Sequence, residues 1–202
     1  MQKRFYSLLL AISALFPVML FAQAVNTTSQ VTWAFDLGTA GQLATFTSGH
    51  EAYFSTNWVE TGSNLTIKDK SVNALSGLTF TRFQPLVQNN SVTANDYVSF
   101  NLRPATGMGF KPTNIAFKSL RYGTGGGLID VIWVSADGTR TTIATALKPN
   151  RENDTAVGSD PNPTVANYDL SSFTIPESKG DCSLMIYIYS LANTKQVGLS
   201  SI

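Results

Sequence analysis

Charge, histidine and cysteine are all scarce in this sequence, and each scarcity removes a class of function. Of 202 residues 13% are charged, with 14 Lys and Arg against 13 Asp and Glu. There is one histidine, His50, and one cysteine, Cys182. A single cysteine excludes any disulfide within the chain. One His with one Cys cannot complete a four-ligand zinc site. Any Ser-His-Asp or Cys-His arrangement would have to use His50. A formal charge of +1 supplies no basic field for nucleic acid. A phosphate loop is lacking too. Gly125-Gly126-Gly127 leads into the strand-like Leu128-Ile-Asp-Val-Ile-Trp133 rather than a helix, and no Gly-Lys-Ser/Thr is present. Those glycines read as a tight turn.

What is there begins with an address. Residues 1–24 read MQKRFYSLLLAISALFPVMLFAQA. Lys3 and Arg4 precede an apolar stretch from Phe5 to Phe21, and Ala22-Gln23-Ala24 is a small-x-small cleavage site. As a membrane span the stretch falls short of about 20 residues, is interrupted by Pro17 and has no basic flank. The pattern predicts a cleaved signal peptide over 1–24, a single domain over 25–202 and no membrane span after cleavage. Taking 24 from 202 leaves 178 residues, enough for one sizeable core, with 12 basic against 13 acidic side chains and a net charge of −1. The expected location is secreted: a bacterial periplasm, cell surface or extracellular space. Cys182 opens the run Cys-Ser-Leu-Met-Ile-Tyr-Ile-Tyr189, so a buried, unreactive thiol is expected.

The mature chain reads as β-structure. Runs rich in Val, Ile, Thr, Phe, Tyr and Trp alternate with Gly, Pro, Asn and Asp clusters. Strands are expected at Val31–Phe35, Tyr53–Thr61, Asn64–Lys68, Tyr97–Leu102 (stopped by Arg103-Pro104), Asn114–Tyr122, Leu128–Ser135, Thr139–Ala146, Ser183–Tyr189 and Lys195–Ile202. Ala136-Asp137-Gly138 marks a hairpin between two of them. Ser183–Tyr189, apolar on both faces, is expected as a central strand. Pro149–Pro163 is expected as a surface loop. About ten strands at this spacing indicate an all-β fold, an antiparallel sandwich or barrel; the resemblance described below implies the antiparallel jelly-roll β-sandwich. Ile202 falls where a strand is under way, so the chain is expected to be part of a longer protein.

Several segments carry a resemblance. Val31-Thr-Trp-Ala-Phe-Asp-Leu-Gly-Thr-Ala-Gly-Gln42, Val98-Ser-Phe-Asn-Leu-Arg-Pro104 with Gly109-Phe-Lys-Pro-Thr113, Arg121-Tyr-Gly-Thr-Gly-Gly-Gly127 leading into Asp130-Val-Ile-Trp133, and Ile186-Tyr-Ile-Tyr189 through Leu199 follow one another in order. The chain thereby resembles the β-jelly-roll, carbohydrate-binding-like domains of secreted bacterial proteins, often joined to pectate lyases and other carbohydrate-active enzymes. The resemblance implies a non-catalytic module that binds a polysaccharide or oligosaccharide, with a C-terminal catalytic domain as partner. It also implies room for a structural calcium. Calcium takes six to eight oxygens, and Asp36, Asp154 and Asp160 are acidic residues available to it, but there is no EF-hand spacing and no ligand is assigned.

Sugars offer flat C–H faces to aromatic rings, and polar side chains read their hydroxyls. Trp33 shares a strand face with Val31 and Phe35, and Trp133 with Val131, so both are expected in the core. Trp58, whose same-face neighbours include Thr56 and Glu60, is the first choice as a stacking platform. Tyr122, beside Arg121 before the glycine turn, is a second. Asn150 and Arg151 lie in a polar loop, and Arg151 suits the carboxylate of a uronate in a pectin-like glycan. His50, in Ser48-Gly-His-Glu51, is expected as a surface residue and not a general base. Two carboxylates suffice for a glycosidase, but none of the acidic residues sits in a recognisable motif, so no enzyme is expected. The alternatives are a structural or adhesion sandwich that binds no sugar, and a fragment of a carbohydrate-active enzyme such as a lyase.

Overall fold

A computed structural model describes residues 27–33, 44–124, 126–152, 162–200 and 202. The expected signal peptide, Phe35, Asp36, Gly125, Asp154 and Asp160 lie outside the described residues. Among the described residues thirteen strands run in the order β1 (Val31–Thr32), β2 (Thr45–Phe46), β3 (Phe54–Thr61), β4 (Leu65–Val72), β5 (Thr79–Pro85), β6 (Tyr97–Pro104), β7 (Asn114–Tyr122), β8 (Gly126–Val134), β9 (Arg140–Leu147), β10 (Asn150–Arg151), β11 (Thr164–Asp169), β12 (Cys182–Leu191) and β13 (Gln196–Ser200). One 3-10 turn, Glu51–Tyr53, precedes β3. Among the described residues no helix is long and apolar enough to cross a membrane.

The strands form a sandwich. One sheet has the order β3-β6-β12-β8-β9, every pair antiparallel. The other has the order β10-β7-β13-β5-β4, with β11 also on β7. β11 shares the β7 edge with β10, because Lys118 and Ser119 pair with β11 on one side and β13 on the other. β1 and β2 pair separately. Trp33 and Ile202 exchange backbone hydrogen bonds of 2.7 and 3.2 Å, tying the start of the described domain to its end.

Period-two alternation fills the space between the sheets. Val98, Phe100 and Leu102 of β6, Leu184, Ile186 and Ile188 of β12, and Ile129, Val131 and Trp133 of β8 point inward. Ile115, Phe117, Phe83, Val197 and Leu199 meet them from the second sheet. Trp33 packs edge-on against Phe100 at 5.5 Å between ring centroids. Trp33 and Trp133 are core residues, as their apolar neighbours imply. Cys182 is buried and free, and burial pushes its thiol up to about 12.

The Asp137-Gly138 hairpin forms. Ser135 and Thr139 close it, Gly138 takes φ +84°, and Asp137 Oδ1 accepts the Thr139 N–H at 2.9 Å. β12 is the central strand of its sheet.

Four expectations need correction. β6 does not stop before Arg103-Pro104 but runs to Pro104, opposite Phe54. A proline is tolerated at a strand end, where one missing N–H costs little. The Pro149–Pro163 stretch is not all loop, since Asn150–Arg151 forms β10. β10 pairs parallel to β7, so the sandwich is not wholly antiparallel. β5 and β11 are strands without a strand expectation, because Thr79-Phe-Thr-Arg-Phe-Gln-Pro85 buries Phe80, Thr81 and Phe83 on both faces and hides its period. β13 lies inside its sheet, hydrogen-bonded to β5 and β7.

Candidate functional site

If the even-numbered residues of β6 and β12 point into the core, the odd-numbered ones must point out. Backbone register then lays those outward side chains in rows across the five-stranded sheet. One row runs Trp58, Asn101, Ser183, Val134, Arg140. The next runs Glu60, Ser99, Met185, Ile132, Thr142. A third runs Tyr97, Tyr187, Asp130. Four inter-strand spacings separate β3 from β9, roughly 19 Å.

The floor of this face is polar and internally satisfied. Ser99 and Asn101 are 2% and 6% exposed. Ser99 Oγ donates to Asn101 Oδ1 at 2.8 Å, and Asn101 Nδ2 lies 3.3 Å from both the Trp58 and Ser99 carbonyls. Above the floor stand the partly exposed rings of Trp58 and Tyr97, with the ring of Tyr187 buried beside Tyr97. Trp58 is half-buried on the outer side of β3. Tyr97 and Tyr187 lie 5.9 Å apart between centroids. Burial first, then the Glu60 carboxylate, raises the Tyr97 phenol above its ordinary range. The register sets Glu60 opposite Ser99, diagonal to Tyr97 on the same face.

Arg140 reaches from β9 across β8 to β12. Its Nη2 donates to the Tyr187 hydroxyl at 2.7 Å, and its Nη1 lies 3.6 Å from Met185 Sδ. The guanidinium sits 5.9 Å from the Tyr187 ring centre, a cation–π distance. Both hydrogen-bond partners are neutral, whereas Arg82 and Arg103 are forked onto Asp69 and Asp181. At the far end of the face Asp130, 9% exposed, accepts the Tyr189 hydroxyl at 3.0 Å and the Ala146 N–H at 2.8 Å, both on Oδ1.

The sequence-derived site residues divide between the sheets. Trp58 belongs to this face. Tyr122, Arg121, Asn150 and Arg151 gather on β7 and β10 of the other sheet, where Asn150 pairs with Leu120 and Arg151 with Arg121. Tyr122 stands just before the Gly123 turn, as expected, but its ring is covered. It ends β7 and lies across Gly198 of β13, where an added Cβ would come within 2.8 Å of its ring. Arg82 covers it at 5.2 Å. Burial first, then the Glu152 carboxylate, pushes its phenol up to about 12. Arg121 shares the inward side with Val197 and is half-buried. Asn150 spends its amide on the Asn162 carbonyl at 3.0 Å, and its N–H on Thr164 Oγ1 at 2.7 Å. The structure does not bring these four together with Trp58.

Tyr97, Tyr187, Arg140, Glu60 and Asp130 were missed by sequence reasoning. The signal available was the alternation itself: once Val98, Phe100, Ile186 and Ile188 are taken as core, Tyr97 and Tyr187 are outward. Their convergence needed the register. His50, expected at the surface, is half-buried beside Tyr53, with ring centroids 5.0 Å apart. Among the described residues no group of three or more His, Cys, Asp or Glu side chains is placed to hold a metal ion.

No protein-family model matches the chain, and no curated protein matches it at a significant level. Solved structures similar in shape include these two. One is the crystal structure of Caldicellulosiruptor saccharolyticus CBM27-1 in complex with mannohexaose, 8% identical over 87% of this chain and 96% of that one, with a TM-score of 0.43. The other is the structure of TmCBM61 in complex with β-1,4-galactotriose, 14% identical over 76% of this chain and 93% of that one, with a TM-score of 0.36. What this chain binds is decided by its own side chains.

Proposed function

We propose that the domain is a non-catalytic carbohydrate-binding module and that the outer face of the five-stranded sheet holds the glycan. The observation that carries this reading is the placing of Trp58, Tyr97 and Tyr187 on one face with Arg140 and Glu60 among them. Aromatic rings bury large areas at little conformational cost, and they are already held by the sheet. Fixed donors and acceptors beside them suit the hydroxyl rim of a pyranose ring. Glu60 and Asp130 stand three strand spacings apart, roughly 14 Å. A glycosidase pair needs carboxyl groups about 5–9.5 Å apart, closer than the strands that carry these two.

The wider role follows the same reading. Residues 1–24 support export to the periplasm, cell surface or medium, and the ordered motifs from Val31 to Leu199 support a module that delivers a partner catalytic domain to its polysaccharide. A structural calcium remains part of the proposal, with no ligands assigned.

Affinity electrophoresis of the mature chain in gels containing mannan, xylan, galactan, glucan or pectin tests the binding. Retardation is expected in at least one gel. Trp58→Ala is expected to weaken it by about tenfold, the loss of ~1.4 kcal/mol, with the fold intact because Trp58 is outside the core. Unretarded migration in every gel ends the reading.

A further inference from the structure

We infer that this face selects neutral glycans over polyuronates, and that Asp130 is its specificity-determining hydroxyl acceptor, acting with Glu60. The inference rests on the carbohydrate-binding reading and adds the ligand class. Two carboxylates of the face have no cationic partner among the described residues, Glu60 and Asp130, and they stand against the single guanidinium of Arg140. Arg103 adds no free charge, because Asp181 neutralises it in a two-pronged pair. A polymer bearing a carboxylate on every ring would meet more like than opposite charge along this face. A neutral chain of hydroxyls would meet acceptors at Glu60 and Asp130 and a donor at Arg140. This runs counter to the uronate expected from Arg151, which lies on the other sheet.

The setting of Asp130 supports its role. Its Oδ1 takes both the Tyr189 hydroxyl and the Ala146 N–H, and its Oδ2 makes no hydrogen bond among the described residues. Ala146 and Ser190 are the two non-glycine residues with positive φ among those described, at 53° and 50°. Ala146 lies in a bulge where β9 places an extra residue opposite Asp130, between the pairs Ile129–Leu147 and Val131–Ala144. Ser190 follows Tyr189 directly and is held by the Asn89 and Asn90 carbonyls. Left-handed backbone is costly for residues with a side chain, and it persists where surrounding structure enforces a particular geometry. Here both strained residues adjoin a group that aims the same carboxylate.

The experiment compares neutral gels with gels of polygalacturonate and alginate, for the wild type, Asp130→Asn and Glu60→Gln. An asparagine at 130 keeps a carbonyl for Tyr189 and Ala146, but replaces the free acceptor with a donor. Expected are retardation by a neutral glycan, none by the polyuronates, and at least a tenfold loss of neutral binding in Asp130→Asn with an unchanged thermal midpoint. Binding of Asp130→Asn equal to the wild type overturns the role of Asp130. A polyuronate that retards the wild type as strongly as any neutral glycan overturns the selection. If Asp130→Asn does not fold, Glu60→Gln on the exposed edge strand reads the same effect: weaker neutral binding supports the inference, and unchanged binding overturns it. Absence of retardation in every gel fails the carbohydrate reading itself, an outcome distinct from these.

Discussion

The same side-chain type does different work here according to the face it occupies. Trp33 and Trp133 fill the core, while Trp58, on the outer side of an edge strand, keeps part of its ring in solvent. Tyr187 is 5% exposed because Arg140 lies on it, and Tyr122 is covered by Arg82. Two buried groups give the molecule an alkaline weakness. The Cys182 thiol and the Tyr122 phenol are both pushed up to about 12, from ordinary values of 9.0 and 10.0, chiefly by burial. The folded state therefore holds these protons more tightly than the unfolded chain. Their contribution is complete below about pH 9 and is lost as pH rises towards 12. Urea midpoints measured from pH 8 to 11.5 should fall over this window, and Cys182→Ser should flatten the earlier part of the fall. A midpoint independent of pH up to 11 would contradict the burial of both groups.

At the scale of elements, the segment between β5 and β6 is held by one carboxylate. Asp96 is 1% exposed and accepts from the side-chain amides of Asn64 and Asn89 and from the Thr93 hydroxyl. Asn64 in turn brackets Val87, with its Nδ2 donating to the Val87 carbonyl at 2.9 Å and its Oδ1 accepting the Val87 N–H at 2.8 Å. Removing the acceptor strands several buried donors, each costing about 1–3 kcal/mol. Asp96→Ala is expected to destabilise the domain by roughly 2–4 kcal/mol in denaturant titration and to open residues 86–95 to protease. Equal stability and equal protection would show the network to be dispensable. Strands were legible wherever one face was aliphatic and the other polar: Asn114–Tyr122 was read to the residue. β5 was not, because buried Phe80 shares a face with Arg82 and Gln84 and so breaks the polar side of the alternation.

For the whole molecule, ligand and stability are linked by mass action. A glycan at 100 times its dissociation constant should stabilise the wild type by about 2.7 kcal/mol if it binds only the folded state. The thermal midpoint should rise in step, and Trp58→Ala should lose the rise at the same glycan concentration. A denaturation curve shifted equally in both proteins would place the glycan away from Trp58.

The sequence alone determined the all-β class, the hairpin at Asp137-Gly138, the core tryptophans and the buried thiol, because each depends on neighbours close along the chain. It also supplied Trp58, whose mixed neighbours Thr56 and Glu60 mark an outward face. Tertiary structure decided the rest. Tyr97, Tyr187 and Arg140 come from three strands, and only the β6-β12-β8-β9 order brings them together. Tyr122 was read as a stacking platform from its place before the glycine turn, and its packing across Gly198, distant in sequence, comes only from the pairing of β13 with β7. Local patterning decides which way a side chain points, and register between remote strands decides what it meets there.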